Sequence, residues 1–173
     1  MSCRHGKLQI VEQHEVLALY RLLVDHHIEV WLDGGWGIDA LIGEQTRPHS
    51  DLDIAVRHDD VEELRTIMSA RGYEPVERDD TQPWMFVLGD TQGHEVDVHS
   101  FTFDRHGRNI YGVAYPAESL IGEGCLDGQV VRCISADWAV KFHTAYPPRP
   151  VDRHDLKLLH ERLGIDVPDL YTE

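Results

Sequence analysis

The sequence predicts an α/β (α+β) fold: a mixed β-sheet flanked by helices, with further helices closing the C-terminal end. Three observations predict it. Short β-rich segments alternate with amphipathic ones along most of the chain. Two of the β-rich segments flank Asp90-Thr91-Gln92-Gly93, a hairpin turn, so the sheet must contain antiparallel pairs. From about residue 135 onward the pattern is helical. At 173 residues the chain fits one domain, residues 1–173, with about 135–173 as a C-terminal helical part.

Taken in order, residues 9–27 place Ile10, Val11, Val16, Leu17, Leu19, Tyr20, Leu23 and Val24 at helical spacing, an opening amphipathic helix. Ile28–Leu32 is short and β-rich, a first strand ending at Asp33-Gly34-Gly35. The segment GWGIDALIG is a short helix stopped by Gly43. A polar loop, EQTRPHS, leads to a strand over Asp51–Val56. Asp59 caps a helix from Asp60 to about Arg71, with Gly72 ending it. Tyr73–Val76 is a third strand, and Trp84–Leu88 and Glu95–Phe103 form the hairpin. Residues 104–128, rich in glycine and polar groups, are expected to be a long loop crossing the active face. Gln129–Ile134 is a further strand. Ser135 caps a helix to about Tyr146, YPPRPVD turns the chain, and Arg153–Leu163 is a final helix stopped by Gly164.

Composition narrows the function classes. Hydrophobic residues make up 42% of the chain, enough for a packed core. Sixteen basic residues stand against 31 acidic ones, a formal −15, which disfavours a long nucleic acid and favours cationic small molecules. The three cysteines, Cys3, Cys125 and Cys133, form no Cys-x-x-Cys pair, consistent with a reducing cytoplasm. No apolar run reaches membrane-spanning length and MSCRHGK lacks the pattern of a signal peptide, so a cytoplasmic protein is expected.

The chemistry concentrates in Asp51-Leu52-Asp53-Ile54, sixteen residues after the Gly34-Gly35 turn. Residues two apart on a strand share a face, so Asp51 and Asp53 project together, away from Leu52, Ile54 and Val56. Two carboxylates ~4 Å apart repel by about 4 kcal/mol at an effective dielectric near 20 unless a cation lies between them. Mg²⁺ suits such a site, since it takes one or two carboxylates and completes its shell with water and phosphate oxygens. A Gly-Gly turn between strand and helix allows close backbone approach and aims helix N–H groups at an anion, for which a triphosphate is the natural guest. On HEVDVHSF, Glu95, Asp97 and His99 share one face. Asp97 is the candidate third carboxylate, with Glu95 behind it, either a metal ligand or the general base for an attacking hydroxyl.

Arg47 stands ahead of the aspartates, to pair with them or reach a phosphate oxygen. Lys141 is a candidate cation for the triphosphate or an ordinary surface charge. Among twelve histidines, His26-His27, His94 with His99, and His154 match no zinc spacing, and scattered surface positions are expected for them.

The stretch WLDGGWGIDALIGEQTRPHSDLDI resembles the signature of small antibiotic nucleotidyltransferases of the DNA polymerase β-like superfamily. Gly34, Gly35, Asp51 and Asp53 fill the pattern, with a spacer (residues 36–50) longer than in many superfamily members. Arg47 and His49 ahead of the aspartates resemble the lincosamide and aminoglycoside 2″ branches. Trp31–Gly37 and Val96–His99 resemble the short lincosamide nucleotidyltransferases more closely, as do Phe142–Tyr146 and His154–Lys157. The likeness spans most of residues 15–160 and is loose over 102–128.

This resemblance implies a nucleotidyltransferase core and transfer of AMP from ATP (or another NTP) to a hydroxyl of a small antibiotic, most of all a lincosamide. Asp51, Asp53 and Asp97 would be the catalytic and Mg²⁺-binding residues; Gly34 and Gly35, with Arg47 and Lys141, would serve the nucleotide. An aminoglycoside acceptor, or an antitoxin-type domain acting on a partner protein, are the alternatives. A chain of this size leaves a large acceptor partly enclosed, which makes a homodimer a candidate assembly.

Overall fold

The computed structural model describes residues 9–173, so Cys3 and the MSCRHGK start lie outside the described residues. Eight strands join one mixed sheet. Seven of them, β1 (Val30–Leu32), β2 (Asp51–Arg57), β3 (Glu74–Val76), β4 (Met85–Gly89), β5 (Glu95–Phe103), β7 (Gly122–Leu126) and β8 (Gln129–Cys133), run in the order β3-β4-β5-β2-β1-β8-β7. The eighth, β6 (Asn109–Gly112), pairs with the far end of β5. Two pairings are parallel, β2 with β5 and β1 with β8, and the rest are antiparallel.

The two faces of the sheet bury different cores, and strand parity decides which residue joins which. On β2, Leu52, Ile54 and Val56 enter the core with Val96 and Val98 of β5. Helices α1 (Gln13–Asp25) and α3 (Val61–Ser69) cover that face through Val16, Leu17, Leu23, Leu64 and Met68. Each such fully buried side chain contributes roughly 1.5–3 kcal/mol relative to exposure. Ala55 and Phe101 belong to the opposite core. There they meet Ala139 and Val140 of α4 (Ala136–His143) and Leu156 and Leu159 of α5 (Pro150–Leu163). Asp51 and Asp53 have the parity of Ala55, as Asp97 and His99 have that of Phe101. The floor beneath α4 and α5 is therefore apolar at one end and acidic at the other.

Helix termini follow local chemistry. In α1, Glu15 accepts from the Glu12 N–H at 2.7 Å, closing a capping box that starts the helix at Gln13 rather than residue 9. Helix α2 (Gly34–Ile42) begins at the glycines themselves, with Asp33 accepting from the Gly34 N–H at 2.7 Å, and stops at Gly43, whose φ is +96°. Before α3 a 3₁₀ turn occupies His58–Asp60, and neither Asp59 nor Asp60 forms a side-chain cap. Ser135 precedes α4, but its hydroxyl donates to the Glu118 carbonyl instead of capping. Helix α4 stops at His143, short of Tyr146, and α5 starts at Pro150 because Pro fits the first helical position and Asp152 accepts from the Arg149 N–H at 2.9 Å.

Residues 104–128 correct the expectation of a loop. They contain β6, a 3₁₀ turn over Ala117–Ile121, and β7, which pairs with β8 across Asp127-Gly128. Both turn residues have positive φ, +48° and +75°, as the type I′ turn of a two-residue hairpin requires. The glycines that suggested a loop permit packing instead: a Cβ on Gly124 would lie 2.4 Å from the Ala40 backbone, so α2 can rest directly on β7.

Candidate active site

Parallel pairing of β2 and β5 sets the acidic floor. The register places Asp53 beside Asp97 and Asp51 beside Glu95. Asp51, Asp53 and Asp97 all line a cavity of about 420 Å³. Gly34, Gly35 and His99 line it on the sheet side, and Tyr146 and Arg149, from the junction of α4 and α5, form part of its wall.

Burial, and next the charge of Asp51, pushes the Asp53 carboxyl up to about 8. Asp51 is also raised, by burial and then by Asp97 and Glu95. Carboxylates crowded in this way favour their protonated form unless a cation neutralises them. Asp53, Asp97 and His99 each bring one ligand atom within 4.8 Å of the others. Two of these three groups are carboxylates, and with Asp51 on the same floor their oxygens suit a hard divalent cation such as Mg²⁺.

The glycines clear space at this floor. Gly34 has φ +55°, and a Cβ there would lie 2.2 Å from Asp53 Oδ2. A Cβ on Gly35 would lie 2.5 Å from both the Arg47 guanidinium and the His49 ring. The turn thus brings the α2 N-terminus against the side chains of the acidic strand and of the loop before it.

Around the aspartates lies a second layer of polar contacts. Asp33, the residue before α2, accepts from Gly34 N–H through Oδ1 and from the Tyr115 hydroxyl through Oδ2, at 2.7 and 2.5 Å. His99 Nδ1 lies 3.3 Å from the Tyr115 hydroxyl oxygen, and its Nε2 lies 3.4 Å from Asp97 Oδ1. Burial opposes a charge on Asp33, yet the His99 imidazole, its Nδ1 3.8 Å from Asp33 Oδ2, and the Tyr115 hydroxyl hold its carboxyl below the ordinary value. Burial likewise opposes charge on His99, but Asp33 and Asp97 outweigh it and raise the imidazole to about 10.

Of the two basic candidates, Arg47 reaches the cavity and Lys141 does not. Arg47 lines the cavity but pairs with Asp155 of α5, Nε to Oδ1 and Nη2 to Oδ2 both at 2.7 Å, rather than with Asp51 or Asp53. The flat guanidinium fork matches that buried carboxylate. Lys141 stacks its Nζ 4.0 Å from the Trp138 ring and is not among the cavity-lining residues. The helical turn that carries Phe142 and His143 to the cavity directs Lys141 elsewhere. Arg149 is the basic residue that α5 brings to the cavity, held by Asp152 and Tyr146.

Nor are all the histidines scattered on the surface. His49 is 3% exposed, with Nε2 2.5 Å from Asp39 Oδ2, and His143 is buried against the Ala139 carbonyl and lines the cavity. Asp33, His99 and Tyr146 lay inside motifs already singled out, whereas Tyr115 and Arg149 sit in no pattern that marks them.

This sheet, with its glycine turn set against paired carboxylates, is the fold of solved nucleotidyltransferases. A lincosamide antibiotic adenylyltransferase bound to lincomycin superposes with a TM-score of 0.77, at 24% identity, over 87% of this chain and 98% of the other. An aminoglycoside nucleotidyltransferase, ANT(2″)-Ia, in complex with adenylyl-2″-tobramycin, gives 0.69 at 22% identity, over 88% and 89%. Residues 15–159 match the family model of aminoglycoside-2″-adenylyltransferases, and the chain belongs to that family. Among its relatives, a lincosamide resistance protein of Staphylococcus haemolyticus is 27% identical over 154 residues, 86% of this chain and 94% of the relative. A 2″-aminoglycoside nucleotidyltransferase of Escherichia coli is 27% identical over 146 residues, 83% and 78% of the two chains. The resemblance drawn from Trp31–Ile54 is thereby borne out, and no helix among the described residues is long and apolar enough to cross a membrane.

Proposed function

We propose that this protein transfers AMP from ATP to a hydroxyl of a small antibiotic, a lincosamide first, in a Mg²⁺-dependent reaction. The observation that carries the reading is the register of Asp53 beside Asp97, with Asp51 on the same face, at the floor of one cavity beside Gly34-Gly35. Residues 1–173 act as one nucleotidyltransferase domain, with the helical part from about residue 135 as a cavity wall.

Asp51 and Asp53, with Asp97 beside Asp53, would hold Mg²⁺. The bound ion supplies charge neutralisation at the phosphates. The Gly34-Gly35 turn and the α2 N-terminus receive the β- and γ-phosphates. Arg149, which lines the cavity where Lys141 does not, would be the cation that meets them from the C-terminal wall. The acceptor hydroxyl oxygen forms a bond to the α-phosphorus while the α–β bridging bond breaks and pyrophosphate departs with the electron pair. Asp97 takes the hydroxyl proton, in keeping with a base oriented by a third group, here His99.

Incubating lincosamides and aminoglycosides with each NTP and Mg²⁺, and weighing the products, tests the reading. The expected result is one AMP added to lincomycin or clindamycin, lost with EDTA. Absence of turnover on either drug would remove the lincosamide. The family match and the −15 charge favour a second reading, with a polycationic aminoglycoside as acceptor, which AMP on kanamycin or gentamicin would establish.

A further inference from the structure

Tyr115 belongs to none of the motifs that define the family, yet it touches the site from outside. Its segment follows β6, and the Asn109 side-chain amide donates to the carbonyls of Val113 and Tyr115 at 2.8 and 3.1 Å, fixing the chain there. The ring is 2% exposed and packs edge-on against Phe101 and Phe142, with centroids 5.7 and 5.8 Å away. Only the hydroxyl reaches the acidic floor. It has one proton, and that proton goes to Asp33 Oδ2. The 3.3 Å contact with His99 Nδ1 must therefore be donated by the imidazole, which fixes a proton on Nδ1 and the plane of the ring. The opposite nitrogen, Nε2, then faces Asp97 Oδ1 at 3.4 Å.

We propose that Tyr115 is a positioning residue for nucleotidyl transfer: its hydroxyl, shared between Asp33 and His99, orients His99 and through it the Asp97 carboxylate. Asp33 takes part from both sides, because its other oxygen receives the Gly34 N–H at the start of α2. One hydroxyl thus ties the glycine turn to the proton-accepting carboxylate. This rests on the proposed transfer reaction only for its kinetic consequence; the hydrogen-bonded arrangement is testable without it.

Tyr115→Phe removes the hydroxyl and keeps the ring packing. With an acceptor that is turned over, kcat should fall about ten- to a hundredfold, the range for losing a partner that orients a reacting group, while KM for nucleotide and acceptor stays within about twofold. A core variant away from the cavity, Val131→Ala, chosen for a comparable loss of Tm, should keep its kcat. Independently of any acceptor, ¹⁵N-histidine spectra of the native protein should show a slowly exchanging Nδ1–H for His99, lost in Tyr115→Phe. Native kcat in Tyr115→Phe, or an equal kcat loss in Val131→Ala, would overturn the proposal, as would a His99 signal indifferent to the hydroxyl. If no acceptor or nucleotide is consumed by the native protein, the transfer reading fails while the spectra still decide the arrangement.

Discussion

Asp53 is a residue whose burial and neighbours work against its own charge. Its carboxyl titrates near 8 in the fold and near 3.9 in an unfolded chain. Between those values the folded state holds the extra proton, so stability falls as pH rises from about 4 towards 8. Asp53→Asn removes that penalty. In EDTA the variant should be more stable than the parent at pH 8, by on the order of 2 kcal/mol once the accessible edge of the carboxylate is discounted. The advantage should close below pH 4, and transfer should be abolished at every pH. Thermal melts across pH 4–8 measure it; a parent that is equally or more stable at pH 8 would contradict the electrostatic account. The aspartates were legible in the sequence because strand parity alone puts Asp51 and Asp53 on one face and Asp97 on the matching face of another strand. Tyr115 and Arg149 were not, because their approach depends on how distant elements pack.

Between elements, the strongest tie to the site is the Arg47–Asp155 pair, which fastens α5 to the loop before β2. Asp155 is 1% exposed and the Arg47 side chain 19%, so their removal is not symmetrical. Arg47→Ala strands a buried carboxylate and should destabilise by roughly 3–5 kcal/mol. Asp155→Ala leaves a charge that still reaches water and should cost less. The double variant should be more stable than Arg47→Ala alone, as urea unfolding can show; equal, additive losses would mean that the pair is held by packing rather than by charge. Arg47 was legible as a residue of the site, but its partner, 108 positions away, was not. Element boundaries show a similar division. Asp127-Gly128 was a hairpin signal that the surrounding glycines obscured, since Gly122 and Gly124 suggested a loop where each instead admits neighbouring backbone.

At the scale of the molecule, one sheet separates its work by face. Helices α1 and α3 seal one side, and the other carries the acidic floor beneath α4 and α5. The formal charge of −15 adds a field that the cavity carboxylates share. That field should favour polycationic acceptors, and salt should expose the preference. The Debye length falls from about 10 Å at 0.1 M to about 3 Å at 1 M, so attraction across the surface weakens while contacts inside the cavity persist. A lincosamide with one amine should therefore bind with an affinity that changes less than about twofold between roughly 0.05 and 0.5 M salt. An aminoglycoside with several should lose about tenfold over the same range. Calorimetric titrations of lincomycin and kanamycin at the two salt concentrations measure both. Equal salt dependence for the two drugs would show that the acidic surface plays no part in choosing the acceptor, and that selection rests on the contacts made within the cavity.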